Sequence, residues 1–138
     1  MITLLYAGFL TLMGLYLAYR TGAKRLATNN LIGHGDSQEM LQATRVHGNF
    51  TEYTPFFLIL LGALEFSGQV PPLALYILGD IYFLARIAHA YGLTKSSEST
   101  PPRFYGILFT WLVLAIQSLW AFWIYGKWAL GACWGFCT

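Results

Sequence analysis

Phe104–Gly126 is a run of 23 residues without a single charge. As a helix rising 1.5 Å per residue it would be about 35 Å long, enough to cross roughly 30 Å of hydrocarbon. Ile2–Tyr19 is a second such run, 18 uncharged residues long. Over the 138-residue chain 57% of residues are apolar and only 10% are charged, against about 25% charged in soluble domains. Together these features specify an all-α integral membrane protein of one domain and exclude a separate soluble unit. A net charge of +2 is too small to point to nucleic acid. The opening residues lack a basic start and an A-x-A cleavage pattern, so they read as a retained helix.

Two more helices lie between these runs. Asp36-Ser37-Gln38-Glu39 has the composition of a helix start, with a capping side chain ahead of an acidic first turn. The expected bundle has four helices at about 2–19, 39–66, 73–93 and 103–126, with Arg20–Ser37 a loop, Ser67–Pro72 a tight turn and Thr94–Pro102 a polar loop. Pro55 is expected to kink the second helix, and Pro102 suits the first turn of the fourth. Loop one carries Arg20, Lys24 and Arg25, and loop three carries Lys95 and Arg103. Basic loops stay in the cytoplasm, so loops one and three are expected there and both termini outside.

Polar groups gather toward that same end. Arg45, Asn49 and Glu52 fall within roughly 60° of one another on a helix, with Tyr53 at the edge of the arc. Such residues in a membrane segment are costly and default to a functional hypothesis. A guanidinium, an amide and a carboxylate on one stripe suit a small zwitterionic ligand; they equally suit an ion-pair network that braces helices. On the third helix Tyr82, Arg86, His89 and Leu93 share a face. Asp80 lies off that face and is assigned no catalytic role, and Glu65 is read as interfacial. Trp111, Trp120, Trp123 and Trp128 read as packing or headgroup anchors. Gly8, Gly14, Gly62, Gly79 and Ala85 permit close helix approach. Cys133 and Cys137 sit in a tail expected outside the cytoplasm, where disulfides persist.

The pattern Arg45-x-x-x-Asn49-x-x-Glu52-Tyr53 resembles the second-helix signature of the MAPEG family, membrane-associated proteins in eicosanoid and glutathione metabolism. Ala85-Arg86-Ile87-Ala88-His89 is similar to the family's third-helix segment, and Arg103 stands where its enzymes place a catalytic arginine. The form with His47 and Gly48 looks most like the bacterial branch, which implies a bacterial inner membrane. The resemblance implies a homotrimer of four-helix bundles that binds glutathione between subunits and needs no metal. It implies that Arg45, Asn49, Glu52, Tyr53 and His89 hold the tripeptide, with His47 reaching it across the interface. Lys24 or Arg25 would supply a basic contact to a glutathione carboxylate. Arg86 is read as a neutraliser of Glu52 or as a ligand. Leu93 departs from the family pattern, which has a peptide-binding tyrosine there, and Tyr91 lies about 160° away round the helix.

The implied chemistry is activation of the glutathione thiol. A free thiol has a pKa near about 8.5, and a guanidinium about 4 Å from sulfur contributes up to about 4 kcal/mol at an effective dielectric of about 20. Arginine serves because it stays charged and does not give up its proton. The expected function is therefore a glutathione-dependent transferase or peroxidase acting on lipophilic electrophiles or hydroperoxides drawn from membrane lipid. The competing expectation is a non-enzymatic helical membrane protein whose buried charges serve assembly or small-ligand binding.

Overall fold

A computed structural model describes residues 1–135, with side chains as far as Leu130. Four helices follow in order: α1 (Ile2–Thr28), α2 (Gln38–Phe66), α3 (Pro72–Lys95) and α4 (Pro101–Gly135). Three contain segments long and apolar enough to cross a membrane: Ile2–Thr28, Pro72–Lys95 and Pro101–Leu130. The first half of α2 carries Glu39, Arg45, Asn49 and Glu52, while the helix as a whole packs against the other three. The chain is an all-α membrane protein.

The helices overrun the apolar runs. α1 continues to Thr28 instead of stopping at Tyr19, because Arg20–Thr28 is rich in Ala, Lys, Arg and Leu, which favour helix. Charge marks the end of the lipid-compatible stretch, not the end of the helix. Asn29 then closes α1 in a left-handed conformation (φ 53°). Arg25 Nη1 folds the following loop by donating to the carbonyls of Asn30 (3.3 Å), Leu31 (3.0 Å) and Gly33 (3.1 Å). Ser37 caps α2, its Oγ accepting from the Met40 N–H at 3.2 Å. α2 is continuous through Pro55. α4 begins at Pro101, two residues before Arg103, and passes Gly126 to reach Gly135. Cys137 and the side chain of Cys133 lie outside the described residues.

Sequential helices run antiparallel. Glu65, late in α2, caps the start of α1 by accepting from the N–H groups of Ile2 (2.5 Å) and Thr3 (2.9 Å), a carboxylate at a helix N-terminus. At the opposite end of the bundle Lys24 of α1 pairs with Glu39 of α2, and Gln42 of α2 donates to the Leu93 carbonyl of α3 at 2.6 Å. α2 and α3 form the middle; α1 packs on both, and α4 packs mainly on α3 and then on α2. The core between them is apolar, with Phe57 stacked on Tyr82 (centroids 3.7 Å apart, planes 4° apart) and Leu61, Leu64, Leu75, Leu78 and Val113 around it.

α1 is seated on α3 by one small residue. Gly79 leaves the space that the Tyr6 ring fills; a Cβ there would collide with the ring. The Tyr6 hydroxyl reaches Asp80 Oδ1 (2.7 Å) and the Tyr76 carbonyl (2.9 Å). Asp80 thus has a structural partner.

Candidate functional site

The end of the bundle with the 29–37 and 96–100 loops holds a cavity of about 740 Å³, within the usual range of small-molecule clefts. α2 contributes Gln42, Arg45, Asn49 and Tyr53; α3 contributes His89 and Leu93; α4 contributes Arg103, Phe104, Ile107 and Trp111. Lys95 and serines of the 96–99 loop close the mouth. Five of the residues singled out in the sequence (Arg45, Asn49, Tyr53, His89 and Arg103) therefore line one cavity. The wall is divided by chemistry: α2 and the loop end supply cations and amides, and α4 supplies an apolar stripe of Phe104, Ile107 and Trp111.

Arg86 does not line the cavity but bonds one of its lining residues, Asn49. It is completely buried, and its Nη2 donates to Asn49 Oδ1 at 2.8 Å while Nη1 reaches Thr110 Oγ1 at 3.3 Å. The guanidinium also lies 5.9 Å from the Phe50 ring centroid and 5.7 Å from that of Tyr53, within cation–π range. Its Nε has no hydrogen-bond partner among the described residues. Arg86 was expected either to neutralise Glu52 or to hold a ligand; its guanidinium is hydrogen-bonded to Asn49 and forms no direct ion pair with Glu52 among the described residues. Glu52 pairs instead with Arg45, at 3.7 Å, on the outer face of α2, where the two side chains are 58% and 52% exposed. The physical reason is helical spacing: Arg45 and Glu52 lie seven residues apart, two turns along one face. Arg86 approaches from a different helix and meets the amide first.

His89 and Arg103 are joined through the backbone, the His89 Nδ1 lying 2.9 Å from the Arg103 carbonyl oxygen. That contact has a donor geometry only if Nδ1 carries the proton, which leaves Nε2 as an acceptor. Arg103 Nη1 donates to the carbonyls of Ser97 (2.8 Å) and Glu98 (3.2 Å), so the arginine that lines the cavity also ties down the loop over it. The pair is held close by two glycines. A Cβ on Gly106 would come within 2.6 Å of the His89 nitrogen, and one on Gly92 within 2.5 Å of the Arg103 nitrogen. Neither glycine was among the small residues singled out from sequence, because their importance depends on which helix they face. Gln42 was also missed; the only signal available was a polar residue one turn before Arg45.

The remaining sequence candidates lie elsewhere. Glu52 and His47 are on α2 but do not line the cavity. Lys24 is paired with Glu39, and Arg25 is engaged with loop carbonyls. Tyr91 is 57% exposed and borders a different groove, between α1 and α3, so it does not stand in for the tyrosine that Leu93 replaces.

Residues 3–123 match the model of the MAPEG family. The chain is also similar to Inner membrane protein YecN of Escherichia coli strain K12, 28% identical over 130 residues that cover 94% of this chain and 96% of that protein. The same figures hold for Inner membrane protein YecN of Escherichia coli O6:H1 strain CFT073. A family match over nearly the whole sequence, on four helices in a single bundle, leads to one conclusion: this chain belongs to the MAPEG family.

Proposed function

We propose that this protein is a glutathione-dependent transferase or peroxidase that activates the glutathione thiolate toward lipophilic electrophiles or hydroperoxides. The observation that carries the reading is the cavity in which Arg45, Asn49, Tyr53, His89 and Arg103 converge above an apolar stripe of α4. Arg45 and Asn49 supply a charge and an amide for the polar ends of a tripeptide. Arg103 supplies the cation that favours thiolate over thiol, and it is not paired with a carboxylate among the described residues. His89, through Nε2, offers an acceptor for the proton released. The apolar wall receives an electrophile arriving from lipid, and sulfur and electrophile are held side by side.

The exposed polar face of α2 supports a homotrimer. Arg45 and Glu52 are both more than half exposed in the single chain, and lipid is a poor environment for such a pair. A neighbouring copy covering that face would bring His47, which points away from the cavity, toward the tripeptide of the next subunit. The basic residues gathered at the helix ends beside the 29–37 and 96–100 loops (Arg20, Lys24, Arg25, Lys95 and Arg103) support an orientation with the cavity mouth on the cytoplasmic side, where glutathione is supplied. A non-enzymatic reading draws on one observation, the Arg86–Asn49–Thr110 network, which braces three helices without needing a ligand.

The test is glutathione added to detergent-solubilised protein and scanned for the ultraviolet absorbance of a bound thiolate. The expected result is a band in the wild type that disappears in Arg103→Ala. Absence of the band in the wild type, with no glutathione-dependent thermal shift, would overturn the enzymatic reading in favour of the structural one.

A further inference from the structure

A second concavity lies between α1 and α3; its apolar part shares no lining residue with the cavity described above, and its polar part shares Glu39 and Gln42 with it. Its apolar part, about 480 Å³, is walled by Met13, Leu17, Ile87 and Ala90 and rimmed by Tyr16 and Tyr91. Arg20 and Thr94 close it toward the loops, and the same two residues open a polar cavity of about 250 Å³ that also contains Lys24, Glu39 and Gln42. An apolar slot therefore leads directly into a polar chamber, with a guanidinium at the junction. The slot runs about 10 Å along α1 from Met13 to Arg20 at 1.5 Å per residue.

Arg20 has a neutral partner only. Its Nη1 donates to Thr94 Oγ1 at 3.2 Å, and its guanidinium carbon sits 5.9 Å from the Tyr16 ring centroid. The ion pairs among the described residues involve Met1 with Glu65, Lys24 with Glu39 and Arg45 with Glu52, and Arg20 is in none of them. Lys95, one residue past Thr94, lies over Tyr91 at 5.7 Å and adds positive charge beside the groove. Tyr16 and Tyr91, 59% and 57% exposed, are aromatic residues of the kind that settle at headgroup depth. A cation lacking a carboxylate, at the head of an apolar slot and flanked by interfacial tyrosines, is complementary to a phosphate that carries an acyl chain.

We infer that the α1–α3 groove is a binding site for an anionic glycerophospholipid of the surrounding bilayer. Its acyl chain lies along Met13, Leu17, Ile87 and Ala90; its phosphate accepts from Arg20, and its polar head enters the chamber beside Gln42. The Arg20–phosphate bonds are charge-assisted and stronger than the Thr94 contact they accompany.

The test is native mass spectrometry of the full-length protein in mild detergent, titrated with phosphatidylglycerol and read for bound lipid and oligomeric state together. The wild type is expected to retain one phospholipid per chain. R20Q is expected to weaken binding about tenfold, the loss of roughly one charge-assisted contact, whereas K127Q, which removes an equal charge from the far part of α4, leaves it unchanged. I87W, which fills the slot while keeping Arg20, is expected to lower affinity for dioleoyl phosphatidylglycerol to that for the dihexanoyl form. Equal lipid retention in wild type, R20Q and I87W would overturn the inference, since the lipid would then be annular. So would an R20Q protein that keeps its lipid but changes oligomeric state, since the groove would then be a contact between copies.

Discussion

The two seams of α3 present opposite solutions to packing one helix against another. Toward α4, Gly92 and Gly106 bring the backbones together until a Cβ would stand 2.5 Å from the Arg103 nitrogen or 2.6 Å from the His89 nitrogen. Toward α1, a close approach is made at Gly79, where the Tyr6 ring enters; nearer the loops a groove lies between the two helices. The tight seam aligns His89 and Arg103 on one side of a cavity and fixes their relative position through a hydrogen bond. The open seam is tied at its two ends, by Tyr6 to Asp80 and by Arg20 to Thr94, and between them leaves a groove. A seam built from small residues sets side-chain geometry, and a seam built from large ones sets volume.

The contrast is broken most severely by adding bulk where there is none. Gly106→Val places methyl groups against the Ala85 carbonyl and the His89 backbone, which cannot yield as a flexible side chain would. A loss of about 3 kcal/mol is expected, read as a fall in thermal midpoint in detergent together with loss of any glutathione-dependent shift. A slightly smaller effect is expected on the same side of α3 from Asn49→Leu. Arg86 is completely buried and Nη2 would lose its acceptor at 2.8 Å, leaving a desolvated cation short of a partner at a cost of about 2–3 kcal/mol. If Asn49→Leu is as stable as wild type, Arg86 does not depend on the network and the bracing role fails.

Arg45→Ala separates stability from binding. Its partner Glu52 is half exposed, so stability should change by less than about 1 kcal/mol. Glutathione affinity is expected to fall about tenfold, roughly one charge-assisted contact; titration calorimetry that finds wild-type affinity removes Arg45 from the site. Gly8→Ala, with open space around the new methyl, should be neutral or stabilising by a few tenths of a kcal/mol up to about 1 kcal/mol. Measured beside Gly106→Val, it checks that the tight seam and not glycine content is what matters.

The smallest effect concerns acid. Glu39, in the first turn of α2 beyond the apolar segments, is held below its ordinary pKa of 4.5 by its hydrogen bond from, and charge attraction to, Lys24. A carboxylate with a depressed folded pKa contributes stability above its unfolded pKa, and that contribution fades as pH falls through the folded value. Thermal midpoints of wild type and Glu39→Gln should therefore differ slightly at neutral pH and converge below about pH 4. A gap that persists in acid would assign the effect to something other than this ion pair.

Much of this architecture was legible residue by residue. The uncharged runs at Ile2–Tyr19 and Phe104–Gly126 locate helices because lipid admits little else, and the Arg45–Tyr53 stripe marks the polar end of the bundle because such groups are too costly to scatter. The Ser37 cap follows from its own local chemistry. Helix ends were less visible, since α1 outlasts its apolar stretch by nine residues, from Arg20 to Thr28, and helix propensity there is independent of hydropathy. The direction of Arg86 was not visible at all. Periodicity places it on a face of α3 but does not say whether a carboxylate or an amide of α2 stands opposite.

By itself the sequence determined the class of environment, the number of helices and the end of the bundle at which charge collects. Each follows from local quantities: transfer cost, periodicity and capping chemistry. Only the tertiary structure decided which cations are satisfied and which are left to face a cavity. Arg45 pairs with Glu52 on its own helix while still lining the cavity, Arg86 bonds Asn49 across a helix boundary, and Arg20 has Thr94 and the Tyr16 ring but no carboxylate among the described residues. The Arg45–Glu52 pair follows from spacing along one helix, but the partners of Arg86 and Arg20 lie on other helices, and the distance between two helices is a property of the pair that neither sequence segment carries alone.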